Sequence, residues 1–234
     1  MVARLYQQFL SAAKMDLDAA RVLNNNNGAA ALFHLQQSYE KSIKSFHIFN
    51  SIEIHGLSSD DAYSKATKYS HKVDESITEL LVEITEIEKI RLEKVVNNDP
   101  KYNQARNNSI LQMDQFITEI KNLPQKLQLD NKLMTHIQNF GSYVESIHTA
   151  HSGPNQESIT SSPDFIYFSF ISLAFSLYPC VYKLESISRY PLKEFQYKNL
   201  ELLANQDRAC VLIIELVSML IDIIDREFKR FGKT

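Results

Sequence analysis

A chain of 234 residues with 44% hydrophobic and 23% charged residues can bury a sizeable core without disulfide or metal staples. Only 5 Gly and 6 Pro are present, and so few chain breakers point to long helices joined by few loops. A formal net charge of −3 removes any global attraction for nucleic acid or an anionic membrane surface and leaves a local basic patch as the remaining route to either.

Leu5, Phe9, Ala12, Asp16, Ala19 and Leu23 keep a three-to-four spacing, which predicts a first helix over about 2–24. Asn24 to Asn27 and Gly28 form a helix stop, since Asn and Gly tolerate the left-handed conformation. A second helix follows over about 29–50, with Leu32, Leu35, Tyr39, Ile43 and Phe46 on one face. The stretch 53–66 holds Gly56-Leu57-Ser58-Ser59-Asp60-Asp61 and reads as a loop. Over about 73–96 a third helix places Ile77, Leu80, Leu81, Ile84 and Ile87 on one side and Glu75, Glu79, Glu83 and Glu86 on the other. Asn97-Asn98-Asp99-Pro100 breaks it, and two more helices, 101–123 and 125–150, are expected on either side of Pro124. A polar break over 151–163 precedes a helix over 163–188 and a last one over about 195–231. No strand-like alternation competes with these helices, and the fold class is all-α. Cys180 and Cys210, the only cysteines, sit singly in apolar runs and read as small buried hydrophobes of a reducing compartment. No signal-type segment opens the chain, and a cytoplasmic location is expected.

Four blocks share an order. Ala12-x3-Asp16-Leu17-x2-Ala20-x2-Leu23 precedes Phe33-His34-Leu35-Gln36-Gln37-Ser38-Tyr39-Glu40-Lys41-Ser42-Ile43-Lys44. Tyr69-Ser70-His71-Lys72-Val73-Asp74 is followed by Leu80-Leu81, and Ser188-Arg189-Tyr190-Pro191 precedes the apolar run from Ala209 to Ile224. Together they resemble the HEPN domain, a nucleotide-binding helical bundle of higher eukaryotes and prokaryotes. The resemblance covers about 5–88 and 163–228 and implies one HEPN-like up-and-down bundle over 1–234, with 89–162 as an inserted helical hairpin. It also implies a homodimer, a nucleotide or RNA ligand, and a small nucleotidyltransferase as partner in a toxin–antitoxin or defence setting.

The ligand-binding candidates are Glu40, Lys41, Lys44, His71, Arg189 and Tyr190. Glu40 and Lys44 also form an i,i+4 pair in the favourable order, worth a few tenths of a kcal/mol on any exposed helix. Asp16 stands on an otherwise apolar face and needs a partner such as Lys41, Lys44 or His71. Many HEPN proteins are ribonucleases that use an Arg and a His separated by four to six residues, one to clamp phosphate and one to move a proton. None of the eight arginines has a His at that offset; beyond Arg106 stand Leu111, Gln112 and Met113. No catalytic residue is therefore assigned, and a non-catalytic binding protein is favoured over a divergent ribonuclease or a helical interaction scaffold.

Glu145-x2-His148-x2-His151 has the Glu-x2-His step of di-iron bundles, but no second copy exists and His151 reads as a solvated helix end. No metal and no cofactor is assigned. The segment from Phe165 to Tyr182 carries no charge. Its serine stripe (Ser169, Ser172, Ser176), three tyrosines and Pro179 favour a buried central helix over a membrane span. Arg226, Lys229, Arg230 and Lys233 read as favourable charge at a helix C-terminus.

Overall fold

The computed structural model describes residues 4–24, 28–68, 73–129, 142, 144–152, 166–181 and 207–232. Its elements are α1 (Leu5–Leu23), α2 (Gly28–Phe49), a π-helical turn (Asn50–Ile54), α3 (Ser59–Thr67), α4 (Val73–Lys94), α5 (Pro100–Leu129), α6 (Ile166–Val181) and α7 (Asp207–Phe231). Residues 144–151 are helical as well, and there is no strand among the described residues. The fold is an all-helical bundle, as the periodicity implied.

Helix α2 is its hub, packing on α1 along most of its length and also on α3, α4, α6 and α7. The α1–α2 contact is close because it is lined by Ala13, Ala20 and Ala31, all fully buried. Two α2 hydroxyls donate into α1 carbonyls at that seam: Ser38 Oγ to Ala13 O at 2.8 Å and Ser45 Oγ to Tyr6 O at 2.7 Å. The buried stripe of α1 is Tyr6, Leu10, Ala13, Leu17 and Ala20, one residue round from the expected Leu5, Phe9, Ala12, Asp16 and Ala19. This register buries Leu10 and Leu17 in place of Phe9 and Asp16, leaves the charged Asp16 at the rim, and brings the Tyr6 hydroxyl to Glu53 of the π turn, to which it donates at 2.9 Å.

Aromatic rings join α2 to the late helices: Phe46 lies 3.9 Å from Phe170 and 5.0 Å from Tyr167 between ring centroids, and Phe49 lies 4.8 Å from Phe228. The Tyr39 hydroxyl donates to Ala174 O at 2.7 Å, fixing α2 on α6. Helix α6 is the central helix expected, with none of its described side chains exposed. Cys180 and Cys210 are both buried free thiols. Helix α5, from the expected insertion, lies on α4 and α6, with Phe116 stacked on Phe175 at 5.2 Å.

Two expectations fail. The 53–66 segment is not a loop, because the π turn extends α2 to Ile54 and α3 follows a reversal at Gly56, whose φ of 66° suits glycine. Ser58 caps α3 by accepting the Asp61 N–H at 3.1 Å, and Ala62 and Ala66 are buried. Pro124 does not divide two helices either; α5 passes through it to Leu129. Proline costs one backbone hydrogen bond there, and the buried Met113 and Ile120 of the same helix help to hold it on its neighbours. Of the expected 125–150 arm, residues 130–141 and 143 lie outside the described residues.

Candidate functional site

Three of the six ligand-binding candidates, Glu40, Lys41 and Lys44, fall on α2; His71, Arg189 and Tyr190 lie outside the described residues. Helical spacing separates the three. Glu40 and Lys44 are one turn apart and meet at 2.5 Å, with side chains only 10% and 9% exposed. Gln36 extends the row, its amide 3.4 Å from Glu40 Oε2, and itself accepts from Gln37 at 2.6 Å. The pair is thus buried, unlike the exposed pair that the spacing alone suggested, and each charge depends on the other for compensation.

Lys41 turns instead to α1, where its ammonium meets Asp16 Oδ2. The other oxygen of Asp16 is held by His34 Nδ1 at 2.9 Å. This answers the need of Asp16 for a partner: Lys41 serves, Lys44 is engaged with Glu40, and His34 joins. His34 escaped the sequence reading. Its signal was position, because His34 and Lys41 stand two helical turns apart on one face of α2. Asp16 is 14% exposed, whereas His34 and Lys41 are 30% and 33% exposed, so the two nitrogen groups form the solvent edge of the cluster. Facing an ionised carboxylate, the imidazole Nδ1 is the donor of this contact.

A second polar contact ties α2 and α3 to α4. His47 Nε2 lies 2.8 Å from Glu83 Oε2, and Lys65 reaches the other oxygen. Burial alone would raise the Glu83 carboxyl, but hydrogen bonds from His47 and Lys65 win and bring it down to about 2. The ring Nδ1 of His47 and the side-chain polar atoms of Asn50 and Ser51 at the π turn are buried without a hydrogen-bond partner.

The Glu145–His148–His151 step does not form a metal centre: among the described residues no group of three His, Cys, Asp or Glu is arranged to hold an ion. His148 Nε2 contacts Glu215 Oε2 at 2.7 Å. His151 is buried rather than solvated, and burial lowers its pKa. No helix among the described residues is long and apolar enough to cross a membrane.

Helix pairing, the π turn and the α2 polar rows all lie within the segment 6–95, and that segment matches the family model of the HEPN domain. The chain therefore carries a HEPN-domain match over its first four helices. The later block of the resemblance, 163–228, lies outside the matched span. No curated protein and no solved structure matches the chain.

Proposed function

We propose that this protein is a non-catalytic HEPN-like binding protein whose ligand is a phosphate-bearing one, a nucleotide or an RNA end. The observation that carries this reading is the Asp16–His34–Lys41 cluster, in which one carboxylate holds an imidazole and an ammonium side by side at the surface. The Lys41 ammonium keeps N–H donors beyond the one given to Asp16 and can meet a phosphate oxygen, His34 adds a donor from Nε2 when its ring is an imidazolium, and fixing both groups in advance lowers the entropy lost on binding. Glu40 and Lys44 line the next row of the same helix; His71, Arg189 and Tyr190 are proposed to complete the site on the strength of the resemblance. A homodimer, and a small nucleotidyltransferase as partner in a toxin–antitoxin or defence setting, belong to the same proposal, together with a cytoplasmic location. The absent Arg-x4-6-His pair supports a role without catalysis.

Titration calorimetry with ATP and with 5′-phosphorylated RNA at low salt tests it. Binding that falls about tenfold or more in Lys41→Ala and His34→Ala, and weakens as salt rises, is expected. No binding at millimolar nucleotide, or binding unchanged in both variants, would remove the cluster as the site. A scaffold role has its own support in Ile90, Val96 and Leu111, exposed apolar side chains on and just after α4 and on α5.

A further inference from the structure

The rim cluster on α1 and α2 has a charge that depends on one proton. Asp16 accepts from His34 Nδ1 at 2.9 Å through one oxygen and meets the Lys41 ammonium through the other. The two nitrogens are therefore no further apart than one carboxylate and two hydrogen bonds. When the His34 ring is neutral, its proton sits on Nδ1, facing the carboxylate, and Nε2 carries a bare lone pair. Asp16 and Lys41 then cancel, and Nε2 would set an acceptor against any phosphate oxygen that approached it. When the ring is an imidazolium, Nε2 becomes a donor and the cluster carries one net positive charge. One proton thus changes both the charge and the hydrogen-bonding sense of this edge.

Charges elsewhere on α2 and on the helices packed against it are engaged with one another. In the next row of α2, Glu40 holds Lys44, and both side chains are nearly covered. On α1 the residues one turn either side of Asp16 are Ala12, Ala13, Ala19 and Ala20, and Arg21 pairs with Asp18 at 2.9 Å. Helices α3 and α4 bring Lys65 and Glu83 to His47, which lies about 20 Å farther along α2 than His34 at the rise of an α-helix. Helix α6 contains no Asp, Glu, Lys, Arg or His. On α7, Glu215 contacts His148 at 2.7 Å and Asp225 contacts Lys14 at 3.3 Å. Within the cluster, His34 is the group whose charge can change near neutral pH.

We infer that a phosphate-bearing ligand binds this edge together with a proton on His34, so that a fall in pH strengthens binding and a rise weakens it. The inference rests on the reading of the cluster as the ligand site and adds the regulation of that site. By linkage the coupling runs both ways: protonation strengthens the hold on the ligand, and the bound ligand strengthens the hold of the ring on its proton by the same factor. Gaining or losing one charge-assisted hydrogen bond changes affinity by about tenfold.

Calorimetric titration of the full chain with AMP at low salt, at several pH values from about 5.5 to 8.5, tests the coupling in wild type and in His34→Gln. Glutamine keeps a polar side chain in place and does not titrate, and the ratio of the two affinities cancels the titration of the phosphate itself. The ratio of wild-type to variant affinity is expected to fall about tenfold across that range. A ratio that stays constant while AMP still binds overturns the coupling and spares the binding site; absence of AMP binding at every pH removes both. Should the variant not fold, the ring 13C shifts of His34 in the wild type decide. A titration midpoint that moves to higher pH when AMP saturates the protein supports the coupling, and a midpoint that AMP does not move refutes it.

Discussion

Replacing Lys44 with methionine asks whether the α2 charge pair behaves as a buried or a surface interaction. Methionine keeps most of the apolar stem and removes the ammonium. The Glu40 carboxylate, 10% exposed, is then left with the Gln36 amide at 3.4 Å as its remaining hydrogen bond among the described residues. Removing one side of a buried pair costs about 3–5 kcal/mol, against about 0.3–0.5 for an exposed i,i+4 pair. The two outcomes differ roughly tenfold, so the measurement discriminates between them. In a chain of this size each kcal/mol moves Tm by about 2–4 °C, giving a loss of about 6–20 °C for the buried case. The double variant Glu40→Gln with Lys44→Met removes both charges and is expected to recover most of that loss, because the carboxylate no longer lacks a counter-charge. Urea and thermal unfolding followed by circular dichroism at 222 nm, with the m-value checked for constancy, provide the readout. A single-variant loss under about 1 kcal/mol, or a double variant no better than the single one, would refute the reasoning.

Three further outcomes are expected. Phe46→Ala removes the ring that meets Tyr167, Phe170 and Phe49 and should cost about 3–5 kcal/mol in denaturant unfolding; a loss under about 1 kcal/mol would mean α2 and α6 are not held by this contact. Purified protein should show no metal-independent ribonuclease activity on a fluorogenic RNA in EDTA, and cleavage that co-purifies with the chain and disappears in His71→Ala would sink that expectation. Multi-angle light scattering at micromolar concentration should give about twice the 27.0 kDa of one chain, and a mass near that of a single chain would defeat the proposed homodimer.

Much of the bundle could be read from spacing, because the apolar face of α2 is continuous: Leu32, Leu35, Tyr39, Ile43 and Phe46 are all buried as expected. Periodicity was less exact on α1. There the buried stripe stands one residue on, a turn of about 100° that keeps the same three-to-four spacing, so spacing alone does not tell the two faces apart. The short α3 was misread because Ser58, Asp60 and Asp61 are turn residues and also the residues that begin helices. Pro124 misled for a related reason, since a helix held by packing keeps going where an isolated one would stop. The site followed the same division. The Glu40–Lys44 pair is local and readable by offset. Its burial and the Asp16–His34 contact depend on how distant helices meet, which offsets along one chain do not encode.

The polar residues of α2 are divided among its neighbours, and the division narrows where the proposed ligand would enter. Ser38 and Ser45 are bonded to α1 carbonyls, Tyr39 to an α6 carbonyl and His47 to Glu83 of α4, so these side chains serve the packing of the helix. Glu40 and Lys44 are paired and nearly covered. Gln37 is half-buried and bonded to Gln36 of its own helix, whereas His34 and Lys41 reach solvent while anchored across the seam by Asp16. A group that must recognise something outside the chain needs both properties: exposure to meet the ligand and an internal contact to hold it in place. Helix α2 carries Lys41 at this rim, paired with Asp16 of α1, and Phe46 beneath the late helices. A ligand that draws Lys41 away from Asp16 would therefore act on the α1–α2 seam first, where the helices are held by small residues and two hydroxyl–carbonyl bonds.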